Sequence, residues 1–339
     1  DLNRYAPTQG SPPLRQAICD WLVERYGINP MLLDAERHVL PVNGTREALF
    51  AVAQALVDPQ RSPRVLMPNP FYQVYEGAAL LAGAQAYYVN ADSQPPYQID
   101  LQSIPISVWR QCQLFYLCNP YNPTGAVMDM TQMTWLMDMA QRYDFVIASD
   151  ECYSEIYCDE PPPGLLQAAV TCGNDRFEKC MVFHSLSKRS NLPGLRSGFV
   201  AGDPELMEKF LLYRTYHGCA MPLPVQAASI AAWSDETHVE DNRQVYRNNF
   251  QAVLTILFPA LPLSLPQAGF YLWPKVPADD CQFAKNFYQA YNVTVLPGSY
   301  LSRESAGSNP GTSHLRIALV AELETCKDMA QRLKSFLEQ

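Results

Sequence analysis

The sequence predicts an α/β protein: a large domain with a mostly parallel central sheet flanked by helices, then a smaller α+β domain. Three observations carry that prediction. From residue 39 to about residue 233, short apolar runs that suit buried strands alternate with segments of helical periodicity. Turn-forming residues cluster where these runs end, at the strand ends where open sheets collect their ligands. A long helix over 236–257 then leads into a tract of different rhythm, with strands near 270–273, 293–296 and 315–320 and helices near 281–290 and 322–337.

The opening residues are polar and turn-rich. Leu14, Ile18, Leu22 and Val23 then recur at helical spacing to about Tyr26, and Gly27 suits the stop. Residues 39–42 read as a strand, followed by Asn43-Gly44-Thr45-Arg46-Glu47 and a helix over 48–57. A strand, a glycine, a hydroxyl and then a helix gather free N–H groups and a positive dipole end at one point. That point suits a phosphate as well as a plain helix cap. Residues 65–67 form the next strand, which Pro68-Asn69-Pro70 is expected to break, and Phe71-Tyr72-Gln73-Val74-Tyr75 opens a helix. A strand over 86–89 follows. The buried strand 113–118 runs into Asn119-Pro120-Tyr121-Asn122-Pro123-Thr124-Gly125, a loop stiffened by two prolines. A helix over 130–143 returns to the strand 145–148, which ends in Ser149-Asp150-Glu151-Cys152-Tyr153.

Strands at 181–183 and 199–201 flank a loop from 185 to 198. In it Lys188 stands among hydroxyls and glycines, before a Pro193-Gly194 turn and Arg196. Repeated strand–helix–strand units imply parallel pairs covered on both faces. The loops carrying Asn122, Asp150 and Ser185 to Lys188 should therefore share one rim. Helices follow at about 204–217 and 224–233, and Pro259 and Pro262 close the long helix. The expected division is a large cofactor-binding domain over 1–245 and a small domain over 246–339.

Composition narrows the function classes. The chain has 339 residues, 48% of them hydrophobic, with net charge −9 and pI near 5.1. An acidic balance of that size argues against nucleic acid or an anionic membrane as the main partner. No pair among the ten cysteines has Cys-x-x-Cys spacing, so a zinc site has no support and a reducing cytoplasm is the expected location. No apolar run approaches the roughly 18 residues of a membrane span, and no signal peptide is expected. The sequence opens at Asp1-Leu2-Asn3 without a methionine, so an upstream segment is expected to be missing.

The chemistry-bearing residues converge on one ligand. A lysine shielded from water beside another cation loses its proton more easily and becomes a nucleophile toward an aldehyde. Lys188 suits that part. Gly44, Thr45, Ser185, Ser187 and Arg196 suit a phosphate; Tyr72 suits stacking on a flat ring. Asp150 suits a basic ring nitrogen, and Asn122 and Tyr153 suit a phenolic oxygen. Pyridoxal 5′-phosphate has all of these parts.

The motifs Asn122-Pro123-Thr124-Gly125, Ser149-Asp150-Glu151-Cys152-Tyr153, Ser185-x-Ser187-Lys188 with Pro193-Gly194-x-Arg196-x-Gly198, and His314-Leu315-Arg316 stand in an order that spans the chain. In this the chain resembles the fold-type I pyridoxal-phosphate aminotransferases of class I/II. A softer likeness to succinyldiaminopimelate aminotransferase of lysine biosynthesis rests on 296–304 and Asn309-Pro310-Gly311. The resemblance implies that Lys188 binds the cofactor covalently and moves the substrate's proton, and that Asp150 keeps the ring nitrogen protonated. It implies that Tyr153 and Asn122 hold the ring oxygen, and that Arg196, Ser185 and the Gly44, Thr45, Arg46 turn hold the phosphate, with Ser187 beside them. Tyr72 would stack on the ring, and Arg316 would pair with the substrate α-carboxylate.

A tyrosine in the context Tyr-x-Pro-x-x-Gly, here Tyr5, reaches the other subunit's phosphate in such proteins, which implies a homodimer with shared sites. The family's usual N-terminal arm, with its glycine segment, is expected to be absent from the small domain. The implied reaction exchanges an amino group between glutamate and a 2-oxo acid, with N-succinyl-2-amino-6-oxoheptanedioate as acceptor. Its anionic tail would want a further cation, for which Arg15, Arg46, Arg189 and Arg303 are the candidates. The alternatives are an aspartate or aromatic aminotransferase, a pyridoxal-dependent β-lyase, or a non-catalytic pyridoxal-sensing regulatory domain. A nicotinamide dehydrogenase is dropped, because no Gly-x-Gly-x-x-Gly follows an early strand.

Overall fold

The computed structural model describes residues 3–261 and 263–339. The first half alternates helices and strands: α1 (Pro12–Tyr26), β1 (Val39–Val42), α2 (Thr45–Leu56), β2 (Arg64–Asn69), α3 (Gln73–Leu81), β3 (Gln85–Asn90), α4 (Ile106–Trp109) and β4 (Cys112–Cys118). It continues through α5 (Met130–Tyr143), β5 (Val146–Asp150), α6 (Leu165–Thr171), β6 (Cys180–Ser185), α7 (Leu186–Arg189) and β7 (Gly198–Gly202). Then come α8 (Pro204–His217), α9 (Leu223–Trp233), α10 (Thr237–Leu257), β8 (Tyr271–Leu272), α11 (Asp280–Tyr291), β9 (Leu296–Pro297), β10 (Leu315–Ala318) and α12 (Leu323–Leu337). Helix ends follow local chemistry. Gly27 closes α1 in the left-handed region at φ 62°, and Asp129 with Gln132 forms a reciprocal capping box on α5.

The seven-stranded sheet has the order β1-β7-β6-β5-β4-β2-β3. The pairs β2–β3, β2–β4, β4–β5 and β5–β6 are parallel, as expected. β7 is the strand that makes the sheet mostly rather than wholly parallel, since it runs antiparallel to both β6 and β1. The segment between β6 and β7 holds only the one-turn α7 and a 3₁₀ turn, with no crossover helix to carry the chain back for a parallel partner. Gly198 belongs at this pairing, because a Cβ there would meet the His184 carbonyl oxygen at 2.5 Å.

Three local expectations are corrected. Lys188 lies on a helical turn, not in an open loop. The helix expected from 48 begins at Thr45, because Gly44 already supplies the turn that starts it. Pro68 does not break its strand: past Leu66, β2 pairs only with β3, so on the β4 side no ladder bond needs the N–H that proline lacks. The long helix does stop before Pro259, while Pro262 lies outside the described residues. Among the described residues no helix is long and apolar enough to cross a membrane.

Apolar side chains gather in two large clusters and one small one. The first joins the seven-stranded sheet to its helices, from Leu14 to Trp233. The second joins α10, α11, α12 and β10 through Phe250, Phe287, Leu315 and Leu333. Between them lies a small aromatic cluster of Tyr153, Ile156, Tyr246 and Phe270, with Tyr271 packed on it.

Candidate active site

Neighbouring parallel strands deliver the site from one edge of the sheet. β5 ends on Asp150 and β6 on Ser185, while β4 leads into the loop that carries Asn122. β1 leads to Gly44 at the start of α2. Alternation on β5 separates two adjacent acids. Glu151 turns into the core, where it accepts from the Ser149 hydroxyl (2.8 Å), the Leu165 N–H (2.8 Å) and the Tyr26 hydroxyl (3.1 Å). Asp150 faces the other way. It accepts from the Tyr75 hydroxyl at 2.6 Å and from the Cys152 N–H at 3.3 Å. Burial raises the Asp150 carboxyl above its usual range, and the Tyr75 hydrogen bond opposes that rise. A buried carboxylate with a phenol and an amide as neighbours suits a cation brought by a ligand.

Lys188 projects from α7 toward the small aromatic cluster. Its Nζ lies 4.7 Å from the Phe270 ring centre and 6.0 Å from that of Tyr153. Burial is the main cause that lowers its pKa; Arg316 and Arg46 lower it further, while Cys152 and Asp150 oppose them. The cations acting here thus come from elsewhere in the fold, not from the sequence-adjacent loop. The C-terminal carbonyls of this turn are held from outside: Asn242 Nδ2 on α10 donates to the Lys188 and Arg189 carbonyls at 3.1 and 3.2 Å.

Gly44 and Arg196 meet directly. A Cβ on Gly44, which has φ 83°, would stand 2.0 Å from Arg196 Nη2, so the guanidinium covers the turn only because glycine is there. Arg196 donates to the Pro193 carbonyl (2.9 Å) and the Asn43 carbonyl (3.3 Å) and stays exposed. Thr45 Oγ1 lies 3.1 Å from Cys152 Sγ, which ties the start of α2 to the Asp150 loop. Ser185 Oγ accepts from the Ser187 N–H (3.1 Å) and donates to the Ser187 hydroxyl (2.9 Å). Arg46 Nε donates to the Tyr72 hydroxyl at 2.6 Å. These groups fit an anion beside a flat ring: the start of a twelve-residue helix, two hydroxyls and a guanidinium.

Across from them, Arg316 on β10 donates from Nη1 to Asn122 Oδ1 at 3.2 Å and lies 4.5 Å over the Tyr271 ring. Tyr153 shares a 3.0 Å hydrogen bond with the Tyr271 hydroxyl. The structure thus places Lys188, Asp150, Tyr153, Asn122, Tyr72, Gly44, Thr45, Arg46, Ser185, Ser187, Arg196 and Arg316 in one region. Tyr5 is not among them, being fully exposed at 104%.

Three neighbours escaped the sequence reading. Tyr75 lies three residues after Tyr72 at the start of α3, a helical spacing that could have flagged it. Phe270 and Tyr271 carry no local signal, because only the pairing of β8 with β10 brings them to Arg316.

The family model described as "Aminotransferase class I and II" matches residues 1–333. A 4-dedimethylamino-4-oxo-anhydrotetracycline transaminase, OxyQ of Streptomyces rimosus, is 33% identical over 98% of this chain and 86% of its own length. LL-diaminopimelate aminotransferase of Moorella thermoacetica is 30% identical over 99% of this chain and 83% of its own. Among solved structures, an aminotransferase from Neisseria meningitidis superposes with a TM-score of 0.94 at 49% identity, covering 99% of this chain and 85% of that one. A probable N-succinyldiaminopimelate aminotransferase from Thermus thermophilus gives a TM-score of 0.86 at 27% identity, covering 95% and 83%. The match across the whole chain, on a sheet of this order, establishes that the protein belongs to the class I and II aminotransferases.

Proposed function

We propose that this aminotransferase holds pyridoxal 5′-phosphate on Lys188 and exchanges an amino group between glutamate and a 2-oxo acid with an anionic tail. The acceptor we favour is N-succinyl-2-amino-6-oxoheptanedioate, of diaminopimelate and lysine biosynthesis. One observation carries the cofactor reading: Lys188 Nζ, 4.7 Å from the Phe270 ring and 6.0 Å from that of Tyr153, shares the strand-end region with the buried Asp150, and burial lowers the lysine's pKa.

The class I and II family is pyridoxal-phosphate dependent, and the bound cofactor supplies an electron sink for the substrate's Cα. The chain's own groups do the rest. Lys188 Nζ has the lowered pKa that a general base needs, and it carries the proton lost from the substrate Cα. Asp150 would keep a proton on the ring nitrogen. Tyr153 and Asn122 would hold the phenolic oxygen, and Tyr72 would lie against the ring. Arg196, Ser185, Ser187 and the Gly44, Thr45, Arg46 turn would hold the phosphate. Arg316, already oriented by Asn122 and by the ring beneath it, takes the α-carboxylate with its planar fork.

The arginines support the anionic tail. Arg15 is paired with Glu36, Arg189 with Glu236 and Arg303 with Glu76. Those three are already neutralised, which removes them from the four sequence candidates. Among the described residues Arg46 has no carboxylate partner, is exposed, and bears on Lys188. Because Arg46 also belongs to the phosphate turn and bonds Tyr72, Arg46→Gln is read at saturating cofactor, where KM should rise about fivefold more for acceptors with an anionic tail than for neutral-tail acceptors.

Two separate apolar clusters support a large domain over 1–245 and a small one over 246–339. An exposed Tyr5 supports a homodimer in which it reaches the partner's site, and the unpaired cysteines support a cytoplasmic enzyme. The LL-diaminopimelate relatives favour a second reading, with unsuccinylated diaminopimelate as amino donor. The test is glutamate-dependent turnover across a panel of oxo acids, with LL-diaminopimelate, aspartate and aromatic donors in parallel. The succinylated acceptor should give the highest kcat/KM; a preference for LL-diaminopimelate or an aromatic donor would displace it. Release of ammonia and pyruvate from an added S-substituted cysteine, with the thiol as leaving group, would indicate a β-lyase.

A further inference from the structure

We infer that Tyr271 is a positioning residue that serves both halves of the site, donating a hydrogen bond to Tyr153 while its ring supports Arg316. The inference rests on the cofactor reading above.

Tyr271 stands opposite Ala318 in the antiparallel pair of β8 and β10. Arg316 lies two residues before Ala318 on the same strand, hence on the same face, diagonal to Tyr271. That diagonal lets the guanidinium lie over the ring at 4.5 Å. From the same residue the hydroxyl reaches Tyr153 at 3.0 Å. Tyr271 is therefore a single side chain in contact with the group proposed for the α-carboxylate and the group proposed for the cofactor's phenolic oxygen. Its neighbour Phe270 packs edge-on against Tyr153 at 5.4 Å and lies 4.7 Å from Lys188 Nζ. Two adjacent rings thus lie against Lys188 and Arg316.

Proton counting assigns the direction. Each phenol has one proton, and burial keeps that of Tyr153 in place. If Tyr153 gave its proton to Tyr271, it would have none left to donate to the cofactor's oxygen. If Tyr271 donates, Tyr153 accepts at its oxygen and keeps its own proton free. The guanidinium above the Tyr271 ring draws electron density from it and favours the donor role. A donor that itself accepts a hydrogen bond is polarised into a stronger one. Tyr271 should therefore help to keep the cofactor's ring oxygen ionised.

The experiment separates hydroxyl from ring. Tyr271→Phe keeps the ring and removes the hydroxyl; Tyr271→Leu removes both. The readouts are the pH midpoint of the absorbance change of cofactor-loaded protein and the affinity for succinate, a carboxylate probe of Arg316. Tyr271→Phe should shift the midpoint upward by roughly half a pH unit and leave succinate binding within about twofold. Tyr271→Leu should show the same shift and a further loss of about fivefold in succinate affinity. A parent protein with a normal chromophore and an unmoved midpoint in Tyr271→Phe overturns the inference alone. A parent that takes up no cofactor overturns the cofactor reading, and this inference with it.

Discussion

The two halves of the site are built differently. Asp150 and Ser185 stand at the ends of strands inside a seven-stranded sheet, with neighbours on both sides, and the Gly44 turn follows β1, which pairs with β7 at the sheet's edge. Arg316 and Tyr271 stand on a three-stranded sheet whose strands are two to four residues long. They meet the first half through side chains, by Arg316 to Asn122 and Tyr271 to Tyr153. The half assigned to the cofactor is rigid because displacing it would break a ladder. The half assigned to the substrate is held by shorter ladders, by those side-chain contacts and by backbone bonds from Ala268 and Gly269 to Gly125 and Ile156. The difference lies in how much continuous sheet stands behind each half.

Substitutions can break that contrast, starting with the largest effect. Lys188→Ala should abolish the near-visible absorbance of the bound cofactor and cut turnover by at least about 10³-fold. A retained, borohydride-reducible band would mean that another amine holds the cofactor. Asp150→Ala should still bind cofactor but lose about 10²-fold or more in kcat, because it removes a preorganised charge. Near-normal turnover would put the rigid half's contribution elsewhere. Arg316→Lys should raise KM roughly tenfold for monocarboxylic and dicarboxylic substrates alike, with a smaller change in kcat. A loss confined to dicarboxylic substrates would move Arg316 to the side-chain pocket.

A pH experiment sharpens the comparison at the smallest scale. Burial raises the Asp150 pKa above its ordinary value of 3.8, so in cofactor-free protein the folded state holds that proton more tightly than the unfolded chain. The resulting stability is present below the ordinary value and is lost as pH rises through the raised one. A cofactor cation beside the carboxylate offsets that loss. The gain in Tm on adding cofactor should therefore widen from about pH 4 to pH 7, and Asp150→Asn should flatten the trend. A gain that does not vary with pH in the parent would argue against a cation at Asp150.

Much of the rigid half was legible from sequence, because strand ends, Gly44, the two-proline loop and the Lys188 stretch are local patterns. The helix over Met130–Tyr143 has the predicted bounds, since apolar period and capping residues agree there. The errors have local explanations too. Pro68 reads as a breaker until the sheet shows which neighbour it lacks, and α7 is too short to show a period. Choosing among Arg15, Arg46, Arg189 and Arg303 needed their ion partners, which stand 21 residues away for Arg15 and 227 for Arg303.

By itself the sequence determined the family and put forward its candidate groups: one lysine, one strand-end aspartate and one late arginine, with the glycines and prolines that shape their loops. These depend on short-range backbone preferences and residue type, which are written locally. Only the tertiary structure decided the antiparallel seventh strand, the neutralised arginines and the placement of Tyr271 between Tyr153 and Arg316. Those depend on packing between segments far apart in the chain, where contact is set by burial and sheet register and no local pattern records it.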